Sequence, residues 1–190
     1  MNDNYNIKVF SHIYPLIRDF LFHYTSYKQL HSEYLKLPGE REFWVLTCDS
    51  HLKTAVTSWC MIFGSTKTNK THWKNVFDDY TEDVVDEFRK YLSEFGGINN
   101  ETWEKCWYEL TSFRNKYVAH RELGYANPVP HFDIALQVVI LFDKWIRVKI
   151  EPDYLDIDNM EELMIEYKEK VKQTLLCIQN INSEEYQNEY

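Results

Sequence analysis

The run TWEKCWYELTSFRNKYVAHRELG, residues 102–124, places Arg114, Asn115 and His120 within seven consecutive positions. A guanidinium stays charged at any cellular pH and presents a planar fork of donors that matches phosphate oxygens. An unperturbed imidazole titrates at about pH 6.5, so it exchanges protons under cellular conditions. Attack of a ribose 2′-hydroxyl on its own 3′-phosphate needs two services, proton transfer and stabilisation of the charge that develops on the phosphate oxygens. His120 can supply the first and Arg114 the second. The products of such a reaction are a 2′,3′-cyclic phosphate and a 5′-hydroxyl.

These residues need a rigid carrier, and the sequence provides a helix. Trp103, Cys106, Trp107, Leu110, Phe113, Tyr117 and Leu123 recur at the three-and-four spacing of a buried helical face. Asn100 suits the N-cap, Glu101 and Glu104 suit the positive end of the dipole, and Gly124 falls where a C-terminal cap belongs. With ideal α-helical winding, the six steps from Arg114 to His120 leave their Cα atoms roughly 120° apart around the axis and about 9 Å apart along it. The long Arg arm can then reach back toward the imidazole, or each group can meet its counterpart on a second helix. A two-fold pairing of this helix would bring two Arg and two His into one cleft.

The run FRNKYVAHRE, residues 113–122, resembles the signature of the HEPN superfamily (higher eukaryotes and prokaryotes nucleotide-binding), in which an Arg is followed directly by a polar residue and, a few positions on, by a His. Here the polar residue is Asn115, and five residues separate Arg114 from His120. The upstream run SWCMIFGSTKTNKTHWK, residues 58–74, is similar to the abortive-infection, phage-resistance branch, in which a Trp/Cys helix ends in a Phe-Gly turn followed by a His-Trp-Lys segment. The resemblance spans residues 44–123.

It implies an all-α bundle that dimerises and cleaves RNA with no metal and no cofactor, as a toxin or phage-defence effector with an antitoxin protein as a candidate partner. Arg114 would stabilise the phosphorane-like charge, His120 would act as general acid or base, and Asn115 would orient the phosphate. Some relatives carry, two residues after the His, a Tyr that a nucleotidyltransferase partner modifies. Here that position is Glu122, so such control is not carried over. The alternative reading is a non-catalytic helical module that binds nucleotide, RNA or a protein partner.

A second basic segment supports the RNA reading. Residues 65–80 form the longest irregular internal stretch and gather Lys67, Lys70, His72 and Lys74 in an otherwise acidic chain. Long loops in compact domains are often functional, and a Lys-rich one can hold phosphates. The competing reading is a solvated loop anchored by Trp73. Lys116 and Arg121 add charge beside the central pair; they can steer RNA, or pair with Glu104, Glu109 and Glu122 on a solvated face. The other histidines lack ligand spacing: His12, His23 and His31 fall on one long helix at intervals of eleven and eight, and His51 lies two residues from Asp49 on a different helical face.

The formal net charge of −9 excludes a broad electrostatic footprint for duplex nucleic acid, so any RNA contact must be local. Only five Gly and five Pro in 190 residues favour helices over a turn-rich sandwich. The chain suits one domain, residues 1–182, with a frayed tail at 183–190. Cys48, Cys60, Cys106 and Cys177 are widely spread on apolar patterns and read as buried thiols of a reducing cytosol. No run has membrane-spanning length and the N-terminus lacks a signal pattern, so a soluble cytoplasmic protein is expected.

Apolar periodicity and its breaks predict an up-and-down bundle of five to six helices. The first covers about 5–36, with Pro15 marking a kink or a start after Ser11. Pro38-Gly39 and Gly64 bracket a second at 41–63, and a third runs from a Thr81 cap to Gly96-Gly97 with Phe95 on its buried side. The central helix follows, and then a fifth, about 131–149, that is apolar nearly all round and suits both core and dimer face. A cap-box-like Asp158 and Glu161 open the last.

Overall fold

The computed structural model describes residues 5–66, 69–77, 82–120, 122–123, 128–150 and 159–185, and among them every regular element is helical. The helices are α1 (Ile7–Glu33), α2 (Arg41–Phe63), α3 (Glu82–Gly96), α4 (Asn100–Phe113), α5 (Asp133–Ile150) and α6 (Met160–Glu185). Short 3₁₀ turns at Tyr34–Lys36 and Trp73–Val76 accompany them, and α4 continues into a π-helical turn, Arg114–Ala119. Among the described residues the one extended pairing is an isolated antiparallel bridge between Tyr5 and Phe77. Among the described residues no helix is long and apolar enough to cross a membrane.

The punctuation residues set the boundaries of α2 as the sequence predicts. Gly39 takes φ +85° in the turn before it, a conformation that costs glycine nothing. At the other end a Cβ on Gly64 would run into the Cys60 carbonyl oxygen, so only glycine lets the chain leave the helix there. Gly97, at φ +63°, closes α3 while its own N–H and that of Ile98 return to the carbonyls of Ser93 and Leu92.

Caps and ends differ in detail from the sequence reading, and of its two alternatives for Pro15 the position within the helix holds. Asn99, not Asn100, caps α4, its side chain accepting from Thr102 N–H at 2.8 Å. Pro15 lies inside α1, whose cap is Asn6. The Ser11 hydroxyl donates back to the Lys8 carbonyl instead of starting a helix. Asn159 caps α6 by accepting from Glu161 N–H at 2.9 Å, and α6 runs on through Glu185, so residues 183–185 are helical. Thr81, Gly124 and Asp158 lie outside the described residues.

The core is aromatic. Phe142 of α5 meets Phe63 of α2 edge to face at 5.4 Å, and Trp73, Phe88 and Trp145 close around it. Edge-on rings gain from their quadrupoles beyond simple burial. α5 buries Ala135, Val138, Val139, Phe142, Trp145 and Ile146, which accounts for its broad apolar pattern within one chain. Its buried Asp143 is held by Arg147 through both carboxylate oxygens, at 3.0 and 3.1 Å, and Arg147 in turn donates to the Tyr14 hydroxyl at 2.8 Å. α1 packs most extensively along α2 and then on α6, with a satellite cluster of Leu30, Leu37, Cys48 and Leu175.

Phe95, expected on the buried side of α3, is 65% exposed, and Leu123 of the central stripe is fully in solvent. Phe43, Val45 and Leu46 at the start of α2 are also exposed. Cys48, Cys60 and Cys106 are buried free thiols, whereas Cys177, expected buried, is exposed.

Candidate functional site

α4 delivers the candidate residues, and its geometry changes where they begin. Leu110 and Phe113 sit fully in the core at the end of the α-helical part. From Arg114 the hydrogen bonds lengthen to i→i+5, so that His120 N–H donates to the Asn115 carbonyl at 3.1 Å. Glu122 N–H then returns to the Lys116 carbonyl at 2.7 Å. Such π turns are rare and occur frequently at functional positions. Across one, the separations computed from 3.6 residues per turn no longer hold.

Side chains fasten this turn to α2. The Tyr117 ring stacks on Phe113 at 4.9 Å, and its hydroxyl donates to Asp49 at 2.9 Å. Lys53 pairs with the same carboxylate at 2.5 Å and lies 5.5 Å from the centre of the Tyr117 ring. The turn therefore has a charged, half-buried anchor one helix away. The backbone carrying Asn115 and His120 cannot drift without breaking it.

Arg114 is half-buried and its guanidinium lies beside the Cys60 thiol. Burial pushes that thiol up to about 11, against the opposing pull of the Arg114 charge and its hydrogen bond. A thiol this basic stays neutral, so it can accept from Arg114 without cancelling its charge. Among the described residues no carboxylate pairs with Arg114. Asn115 and His120 are exposed. Among the described residues no hydrogen bond joins Arg114 to His120. Lys116 makes the surface pair foreseen with Glu122, at a long 3.9 Å. Arg121 lies outside the described residues.

The Lys-rich segment is stitched to the end of α2. Asn69 Nδ2 donates to the Cys60 carbonyl at 2.8 Å, Thr71 Oγ1 to the Met61 carbonyl at 3.1 Å, and Asn75 Nδ2 to the Asn69 and Lys70 carbonyls. His72 is not at the surface. It is 2% exposed, caps the 3₁₀ turn by accepting from Lys74 N–H at 3.2 Å, and hydrogen bonds to the Gly64 backbone. Burial first, then the neighbouring Lys74, hold its pKa down to about 4, so it is a neutral lock on the loop and not a phosphate contact. Trp73 is buried as an anchor, Lys74 lies over its ring at 5.8 Å, and Lys70 is exposed. Lys67 lies outside the described residues.

No protein-family model, curated protein or solved structure matches this chain. The chemistry therefore rests on the residues themselves.

Several contributors are invisible in the linear spacing. Cys60, Asp49 and Lys53 of α2 position the π turn from more than fifty residues upstream. His23 of α1 and His51 of α2 meet Nδ1 to Nδ1 at 2.8 Å, a bond in which one ring donates and the other accepts. Burial and the neighbouring His23 lower the His51 pKa. Among the described residues no three His, Cys, Asp or Glu lie together as a metal site. One signal was readable: Trp103, Trp107 and Arg114 fall at i, i+4 and i+11, and so share one face of α4.

Proposed function

We propose that the chain is a HEPN-type, metal-independent endoribonuclease of the toxin or phage-defence kind, acting in the cytoplasm as a homodimer. The observation that carries this reading is the guanidinium of Arg114, left without a carboxylate partner among the described residues of an acidic protein, on the same π turn as an exposed imidazole. A cation kept unneutralised at a half-buried position is set up for an anion from outside. Because no hydrogen bond joins Arg114 to His120 within one chain, the composite site is a two-fold cleft to which each protomer brings Arg114, Asn115 and His120. Asn115 then orients the scissile phosphate, and His120 moves the proton of the attacking 2′-hydroxyl. The exposed Phe43, Val45 and Leu46 on α2 supply apolar area close to the anchor of this turn. Lys70, Lys74 and Lys116, with Lys67 and Arg121, guide the RNA strand.

The test is cleavage of single-stranded RNA in chelator by the wild type, His120→Ala and Arg114→Ala. Each variant is expected to lose at least about 100-fold in rate. Equal rates for all three would remove the assignment. The exposed apolar face also favours a second reading, a non-catalytic module that docks a protein such as an antitoxin or binds RNA or nucleotide without cutting. In that case RNA remains intact in every variant.

A further inference from the structure

Beneath the Lys-rich loop, where the end of α2 meets α3 and α4, lies a cavity of about 360 Å³. Trp73, Trp103, Trp107 and Phe88 give it flat aromatic walls. Trp107 is fixed in place, since its Nε1–H donates to the Phe63 carbonyl at 2.8 Å. Toward solvent stand Arg89 and Glu104, which are exposed, and Lys74, which is half-buried, while the buried His72 also lines the cavity. The only ion pair that Arg89 makes among the described residues is a 3.9 Å surface contact with Asp86, too long to hold the guanidinium against a phosphate. The volume is that of a small-molecule site.

The combination selects a ligand with a flat ring at one end and an anion at the other. Aromatic walls accept any base through its π face. Lys74 and Arg89 favour a phosphate, and a carboxylate such as Glu104 accepts from an amino group on a base edge. The cavity is also aligned with the candidate site. At about 100° per residue, Trp103, Trp107 and Arg114 lie on one stripe of α4, with Arg114 about 10 Å beyond Trp107 along the axis. Opposite them, α2 presents Phe63 and Gly64 to the cavity and Cys60 to Arg114.

We propose that this cavity is a base-reading subsite: one unpaired base of an RNA strand enters between Trp73 and Trp103, Glu104 accepts from its exocyclic amino group, and Lys74 and Arg89 hold its phosphate. This rests on the ribonuclease reading for its role, since the neighbouring phosphate along the groove would be the one presented to Arg114. Adenine, cytosine and guanine carry the amino donor and uracil does not, so the subsite disfavours uracil.

The experiment is calorimetric titration of the full chain with the four ribonucleoside 5′-monophosphates, using wild type, Arg89→Gln, Glu104→Gln and Trp103→Leu. AMP, CMP and GMP are expected to bind more tightly than UMP. Arg89→Gln and Trp103→Leu should each weaken binding about 10-fold, and Glu104→Gln should erase the discrimination against UMP. Because Arg89 and Glu104 are exposed, their variants fold even if Trp103→Leu does not. Absence of binding by every mononucleotide at millimolar concentration overturns the subsite, as does binding that is indifferent to Arg89→Gln and Glu104→Gln. Mononucleotide binding with no His120-dependent RNA cleavage keeps the cavity as a nucleotide site and sinks the nuclease. His120-dependent cleavage without mononucleotide binding does the reverse.

Discussion

The Tyr117 hydroxyl donates to Asp49 at 2.9 Å, and this bond ties the π turn that carries Asn115 and His120 to the middle of α2. Tyr117→Phe keeps the stacking on Phe113 and removes that bond. Asp49 keeps Lys53 as a partner, so no charge is orphaned. The expected loss is about 1 kcal/mol, the scale of a net hydrogen bond to a charged group at a half-exposed site. Urea unfolding checks it: the midpoint should fall with the slope unchanged, and Asp49→Ala, which releases both Tyr117 and Lys53, should cost more than Tyr117→Phe.

Acid should weaken the fold through His72. Its folded pKa is held down to about 4 by burial, while the unfolded ring keeps an ordinary value of about 6.5. Between those values the unfolded chain binds the extra proton, so stability is fully present above about pH 6.5 and falls as pH drops toward 4. The lowered pKa of His51 acts in the same direction. His72→Gln should flatten the pH dependence by about 2–3 kcal/mol across that window, while itself lowering stability at neutral pH because the Lys74 N–H and Gly64 backbone lose their partner. A denaturation series at stepped pH measures both; an unchanged slope in the variant would show that His72 does not set the acid limb.

Thiol reactivity should separate one cysteine from the other three. Cys177 is exposed, whereas Cys48, Cys60 and Cys106 are buried, and burial raises all three of those thiols, Cys60 to about 11 and Cys106 to about 12. Since the thiolate is the reactive form, an aromatic disulfide reagent at pH 8 should modify one thiol per native chain quickly and the remainder on unfolding. Cys177→Ser should abolish the fast phase.

Phe142 joins α2, α3 and the loop through Phe63, Phe88 and Trp73 and is fully buried. Phe142→Ala should cost about 3–5 kcal/mol, the transfer term plus the cavity left behind. Phe142→Leu, which fills more of the space, should cost clearly less. Thermal or urea unfolding with retained helical circular dichroism would check both, and a cost below 1 kcal/mol would mean that the rings repack around the gap.

Much of the bundle was legible because its signals are local. The limits of α2 follow from Pro38-Gly39 and Gly64, residues whose backbone needs are met only at breaks, and the buried faces of α3 and α4 follow from apolar spacing. Exceptions were one-residue matters, such as the cap at Asn99 instead of Asn100, or terminal positions such as Phe95, which stands in solvent against Tyr91 while the adjacent Gly96 packs on α5. Within the candidate site the residue types were legible as well: a guanidinium, an amide and an imidazole announce their chemistry at any geometry.

The sequence by itself determined the helices, the acidic surface, and which groups near residues 114–120 can handle a phosphate and a proton. Only the tertiary structure decided that the chain widens into a π turn there, that Arg114 is turned onto Cys60 while His120 faces water, and that His72 locks a loop from inside. The reason is that hydrogen-bond register, side-chain direction and burial are set by contacts with α2, more than fifty residues upstream, and no local period encodes a partner at that distance.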